Sequence, residues 1–146
     1  MGSHFAWYFL SLKGRISRQE FWLGYGATIV VAFILKWKLE DLFVYMRRPA
    51  TGVWYRADLE LALALPKILA AAIVLWPLIA IYVKRLHDLN LTGWWLLGLI
   101  TIHAIAMVII PDAWIVIFLS NVVIGLIPGT RGGNRFGVDP RAQIPA

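Results

Sequence analysis

Apolar residues in this chain fall in long runs, with neither the alternation of a half-buried strand nor the one-sided spacing of a soluble helix. The first run, FWLGYGATIVVAFIL, occupies residues 21–35. At ~1.5 Å per residue it is somewhat short for a ~30 Å hydrocarbon core. Arg15 to Gln19 extend one end, and Lys36-Trp37-Lys38 can snorkel and anchor the other. Its start is sharply marked: Ser17-Arg18-Gln19-Glu20 has the form of a capping box, and Ile16 with Phe21 takes the positions of a hydrophobic staple. The box also turns Glu20 back toward the backbone.

The second run covers residues 61–83 and contains Pro66, Lys67 and Pro77, so a kinked helix is expected, with Lys67 in snorkelling reach of the outer surface. Between these runs lies the polar connection 36–60, where Arg47-Arg48-Pro49 and Thr51-Gly52 are helix breakers and residues 39–46 suit a short amphipathic turn. From Gly93 to Ile127 the chain is almost continuously apolar. One helix of that length would be about 52 Å long, far beyond a bilayer core. Pro111-Asp112 is the natural break, with Asp112 placed to cap the following helix. Two spans result, 92–110 and 112–127, joined as a tight hairpin and ended by Pro128-Gly129.

Composition supports lipid as the solvent. Of 146 residues 60% are hydrophobic and 15% charged, with a mean hydropathy of +0.72, leaving too few charges for a soluble surface. The eight Trp suit interfacial belts. With no cysteine, disulfides and thiolate metal sites are excluded. The net charge of +6 reads as topology and headgroup attraction, because no basic helix stands apart from the apolar runs to bind nucleic acid. With the N-terminus inside, the inner segments hold Lys13, Arg15, Arg18, Lys84, Arg85, Arg131, Arg135 and Arg141. The outer side holds Lys36, Lys38, Arg47, Arg48, Arg56 and Lys67, largely offset by Glu40, Asp41, Asp58 and Glu60. The expectation is an all-α membrane protein: one four-transmembrane-helix bundle over residues 5–140, N-in and C-in, with a cytoplasmic Gly/Arg-rich tail at 129–146. Residues 1–4 read as an expression-tag remnant, and no cleavable signal peptide is evident.

That topology brings three polar motifs to the cytoplasmic face: GRISRQEFW from Gly14, KRLHD from Lys84, and RGGNRFGVDP from Arg131. Each mixes arginine with a carboxylate, so ion pairs between helix ends are available. In this order and separation, GRISRQEFW, RLHDLNLTGWW and GTRGGNRFGVDP resemble the bacterial inner-membrane family known as domain of unknown function 805. The likeness extends from about Phe5 to Pro140. It implies a compact four-span inner-membrane protein and no established activity. The matching positions are Gly14, Arg15, Arg18, Glu20, Trp22, Arg85, His87, Asp88, Gly93, Trp94, Trp95, Gly133, Asn134, Arg135, Phe136, Gly137, Asp139 and Pro140. The long charged connection between the first two spans departs from the family pattern.

The candidate binding cluster is Arg15, Arg18, Glu20, Trp22, Arg85, His87, Asp88, Trp94, Trp95, Asn134, Arg135, Phe136 and Asp139. It would take an anionic lipid, a small ligand or a partner protein, with Trp94-Trp95 as an interfacial anchor. The tail lacks P-loop spacing, so a lipid headgroup is its natural phosphate. His87 beside Asp88 suggests a membrane-surface enzyme, but no nucleophile motif lies near. The competing reading has Asp88 pairing with Arg18 or Arg135. No metal set or cofactor motif is present. His103 and Asn121 fall mid-span at comparable depth, which predicts an interhelical hydrogen bond or, in an oligomer, a solute or ion pathway.

Overall fold

The computed structural model describes residues 2–46, 52 and 55–143. Among them the named elements are helical: α1 (Gly2–Leu10), α2 (Arg18–Met46), α3 (Arg56–Asp88), α4 (Trp95–Ile109) and α5 (Trp114–Leu126), followed by a short 3-10 turn, Pro140–Gln143. The chain divides into two compact units, one of residues 1–25 and 78–146, the other of residues 26–77.

In the second unit the chain does not leave the helix at Lys36. α2 continues to Met46, so the separate turn expected at 39–46 is absent. The physical reason is local: Lys, Leu and Glu are good helix formers, and Lys36 pairs with Glu40 one turn on at 3.3 Å. Glu40 also faces Lys67 at 4.0 Å, and the Lys67 side chain is about half exposed, as a snorkelling residue requires. α3 runs through Pro66 and Pro77 without ending. The breakers Arg47-Arg48-Pro49 and Thr51 lie outside the described residues, and Gly52 has a φ of +70°. One helix among the described residues, Asp58–Asp88, is long and apolar enough to cross a membrane; α4 and α5 are shorter apolar helices.

The first unit holds the polar motifs. Its core is Ile16, Phe21, Ile81 and Ile124, with Tyr8, Phe9, Tyr82 and Leu99 packed against it. The capping box forms: the Ser17 N–H donates to Glu20 Oε2 at 2.7 Å, and the Glu20 N–H donates to Ser17 Oγ at 3.3 Å. Ile16 and Phe21, the staple, are both fully buried. α1 was not expected from the sequence, and it takes in residues 2–4 of the stretch read there as a tag remnant. Nothing in its sequence marks a boundary, and Tyr8 and Phe9 hold it by packing on the core. A correction concerns α5, whose N-cap is Ala113 rather than Asp112. Asp112 contributes only its carbonyl, which accepts from the Ile115 N–H at 3.0 Å.

Candidate functional site

α3 ends at Asp88 with a Schellman motif: the Leu91 N–H reaches the Leu86 carbonyl at 2.8 Å and the Asn90 N–H the His87 carbonyl at 3.0 Å. Asn90 supplies the left-handed residue this closure requires, at a φ of +60°. The turn fixes Lys84, Arg85, His87 and Asp88 where several chain ends converge.

Asp88 is the centre of a buried clasp. Arg15 donates to its Oδ1 from Nε at 3.2 Å and from Nη2 at 2.9 Å, while Arg85 Nη1 donates to Oδ2 at 2.6 Å. All three side chains are almost wholly shielded from solvent. Arg15 spends its other donors on the tail. Nη1 meets the carbonyls of Gly132 at 2.7 Å and Gly137 at 3.2 Å, and Nη2 the Thr130 carbonyl at 2.6 Å. Thr130 returns to α3, with its N–H and hydroxyl both donating to the Asp88 carbonyl. Asn134 joins from Nδ2 to the His87 carbonyl and to Thr130 Oγ1, each at 2.9 Å, and its Oδ1 accepts from the Phe136 N–H. Gly129 is obligatory at the join, because any Cβ there would overlap the Asp88 carboxylate.

The remaining buried cations close helix ends. Arg85 donates from Nε to the Ile124 carbonyl at 3.0 Å and from Nη2 to that of Ile127, so it caps the C-terminus of α5. Lys84 does the same for α1, with Nζ donating to the carbonyls of Trp7 at 2.7 Å, Tyr8, and Ser11 at 2.9 Å. All three ammonium donors are used, and both residues are fully buried. Positive charge at a helix C-terminus also meets the negative end of its dipole. The Tyr8 hydroxyl donates to the Glu20 carbonyl, and burial, with the nearby Glu20 charge, pushes its pKa up to about 12.

Several expected pairings are corrected. Asp88 pairs with Arg15 and Arg85 rather than with Arg18 or Arg135. Arg18 instead donates to the Leu126 carbonyl at 3.4 Å, and Arg135 donates to the Asn90 carbonyl at 3.0 Å while lying over the Phe136 ring. His87 stacks on Phe136 at 3.9 Å and engages the Gly14 carbonyl through Nδ1 at 3.1 Å. With Asp88 bound to two arginines, the His87–Asp88 pair is committed to structure, which removes the ground for assigning it catalysis. His103 Nε2 meets Ser120 Oγ at 2.6 Å, not Asn121. Asn121 donates back to the Ile117 carbonyl at 2.8 Å, and its buried Oδ1 has no protein partner. A one-residue shift on a helix turns a side chain by about 100°, and depth matching alone does not settle that rotation. Trp22 lies over Gly125, where a Cβ would overlap its ring. Trp94 and Trp95 are exposed and line a shallow recess of about 200 Å³ with Thr92 and Gly98. Among the described residues no cluster of His, Asp and Glu could hold a metal.

The tail is tied by a smaller loop. Asp139 accepts from the Gly132 N–H at 2.9 Å and from Arg141 through its backbone N–H and guanidinium. The Arg141 side chain first, then its backbone N–H and that of Gly132, hold the Asp139 carboxyl well below the usual carboxylate range. An unfolded tail therefore takes up a proton where the folded one does not. Closure is expected to be complete above the ordinary carboxylate range and to weaken as pH falls through that range toward the depressed value. The protection factor of the Gly132 amide should fall on acidification in the native chain and be low at every pH in Asp139→Asn.

A buried Arg–Asp–Arg clasp joining GRISRQ, RLHDLN and GTRGGNRFG unites the three motifs into one object. The sequence profile of the family described as protein of unknown function (DUF805) matches residues 9–138, the stretch that contains all of it. The chain belongs to this family. It is similar to the Escherichia coli K12 protein named inner membrane protein YhaH, 26% identical over 136 residues that cover 92% of this chain and 91% of YhaH. It is also similar to uncharacterized protein YiiR of the same strain, 28% identical over 149 residues covering 91% of this chain and 87% of YiiR. No solved structure matches the chain.

Sequence reasoning placed Arg15, Arg85, Asp88 and Asn134 in the cluster and missed Lys84, Thr130 and the main-chain carbonyls. A signal for Lys84 was present. Every helix leaves its last carbonyls open, and a cation inside an otherwise apolar run is a natural group to fill them.

Proposed function

We propose that the chain is a four-span, multi-pass inner-membrane protein with both termini cytoplasmic, and that its cytoplasmic end presents a basic rim to anionic lipid headgroups. Family membership, the name of the relative YhaH and the exposed apolar side chains of α4 and α5, Val108 at 87% above all, support the membrane location. α4 has 15 residues and α5 has 13, so they would cross with local thinning of the bilayer, anchored by Trp94 and Trp95 at the α4 end.

The observation that carries the headgroup reading is the division of labour among the cations. Arg15, Lys84 and Arg85 are consumed by the clasp and the helix ends. Lys13, Arg18, Arg131 and Arg135 flank them, are exposed, and form no ion pair with a carboxylate among the described residues. The clasp thus acts as the scaffold, and the rim as the surface that meets phosphate. A juxtamembrane cation near an anionic surface is worth about 1 kcal/mol. Removing three in Lys13→Ala/Arg131→Ala/Arg135→Ala should weaken retention of phosphatidylglycerol by roughly a hundredfold. Native mass spectrometry of the detergent-purified protein reads this directly. Equal retention by the native chain and the triple variant would refute the rim as a headgroup site.

A further inference from the structure

α1 is held from behind and bare in front. Tyr8 and Phe9 turn into the core, the Tyr8 hydroxyl is fixed to the Glu20 carbonyl, and the Lys84 ammonium gathers the carbonyls at the helix's C-terminal end. What remains outward is apolar and aromatic. Phe5 is 65% exposed, Leu12 is exposed too, and the exposed Lys13 follows them, while the Trp7 ring turns back onto Gly14 and the Lys84 ammonium. A soluble surface would gain nothing from ordering such a helix with those groups in water. We infer that α1 lies in the headgroup–acyl boundary of the cytoplasmic leaflet, with Phe5 and Leu12 seated in lipid and Lys13 at phosphate level.

Three observations select a bilayer as the occupant. α1 is about 14 Å long by its residue count, too short to cross a hydrocarbon core, so it can only lie at the edge of one. It is locked to the last turn of α3 through Lys84 and to the first turn of α2 through Tyr8, the places where those helices leave the membrane in a four-span topology. Leu23, near the start of α2, is likewise 66% exposed, so both helices carry bare apolar side chains. An aromatic-rich helix followed by a lysine is the composition of an interfacial anchor. The family profile begins at residue 9, so most of α1 lies outside the part of the chain that defines the family.

The inference rests on the membrane reading, and one experiment separates the two. The chain has no cysteine, so single cysteines can carry a fluorophore without background. Phe5→Cys, Leu12→Cys, Val108→Cys and Arg131→Cys would each be labelled in full-length protein reconstituted into vesicles of phosphatidylethanolamine and phosphatidylglycerol. Each label is then challenged with a shallow nitroxide lipid, a deep nitroxide lipid and aqueous iodide. The labels at 5 and 12 should be quenched by the shallow lipid and reached by iodide at least about threefold less than the label at 131. Free iodide access at 5 and 12 overturns the inference. So does protection from both lipid and iodide, which would mean that protein covers the face. In either case, deep-lipid quenching at 108 leaves the membrane reading standing. Loss of lipid quenching at 108 as well would overturn both.

Discussion

Asp88→Asn is expected to lower the stability of the detergent-solubilised protein by about 3–5 kcal/mol, the range for stripping one partner from a buried ion pair. The native clasp already holds two arginines against one carboxylate, both with less than 5% of their side chains exposed. The shortfall is met by carbonyl dipoles at Gly132, Gly137, Thr130, Ile124 and Ile127. Neutralising Asp88 leaves both guanidinium charges without a counter-ion and turns an amide N–H toward one of them. Buried ion pairs can often be exchanged for apolar groups at little cost. That exchange is unfavourable here, because deleting Arg15 also removes a donor from three tail carbonyls, and that of Gly132 is left with none of the hydrogen bonds described above. Arg15→Lys should fail to rescue for a related reason: a point-charge ammonium with three donors cannot serve Asp88, Thr130, Gly132 and Gly137 together. Chemical or thermal unfolding of the purified variants measures the loss. Native-like stability in Asp88→Asn would show that the carbonyls alone hold the two arginines.

Lys84→Met is expected to produce a different failure, local rather than global. Methionine fills much of the stem's volume but leaves the carbonyls of Trp7, Tyr8 and Ser11 unanswered, at roughly 1–3 kcal/mol for each buried group that water cannot reach. A helix of nine residues has no independent stability, so α1 should detach and unfold while the rest of the unit persists. Hydrogen exchange should show loss of protection confined to residues 5–10, with the amides of the clasp unchanged. Uniform loss across the unit would mean that Lys84 supports the core as a whole.

The start of α2 is legible in the sequence because the capping box and staple are short-range. Ser17 and Glu20 lie three residues apart, and their two reciprocal bonds need nothing from the rest of the chain. The break at Pro111-Asp112 is legible for the same reason, although the cap itself falls one residue later. α1 and the continuous α2 are not. One depends on packing against residues far along the chain, and the other on a local charge pair that outweighs an expected boundary at Lys36. His103 shows the limit most clearly: its depth follows from its place in the apolar run, but its partner turns on a rotation that only packing sets.

By itself the sequence determined the helical class, the apolar segments and the residues that would carry charge at their ends, because length, hydropathy and capping act within a few residues of one another. Tertiary structure alone decided what those charges do. Arg15 and Asp88 are 73 residues apart, and Arg15 and Gly137 are 122 apart, so their contacts exist only once the helix ends have met. The physical reason is that a buried charge must be answered wherever the fold places it. Here the answering groups are mostly main-chain carbonyls, which every residue carries and no sequence motif can announce.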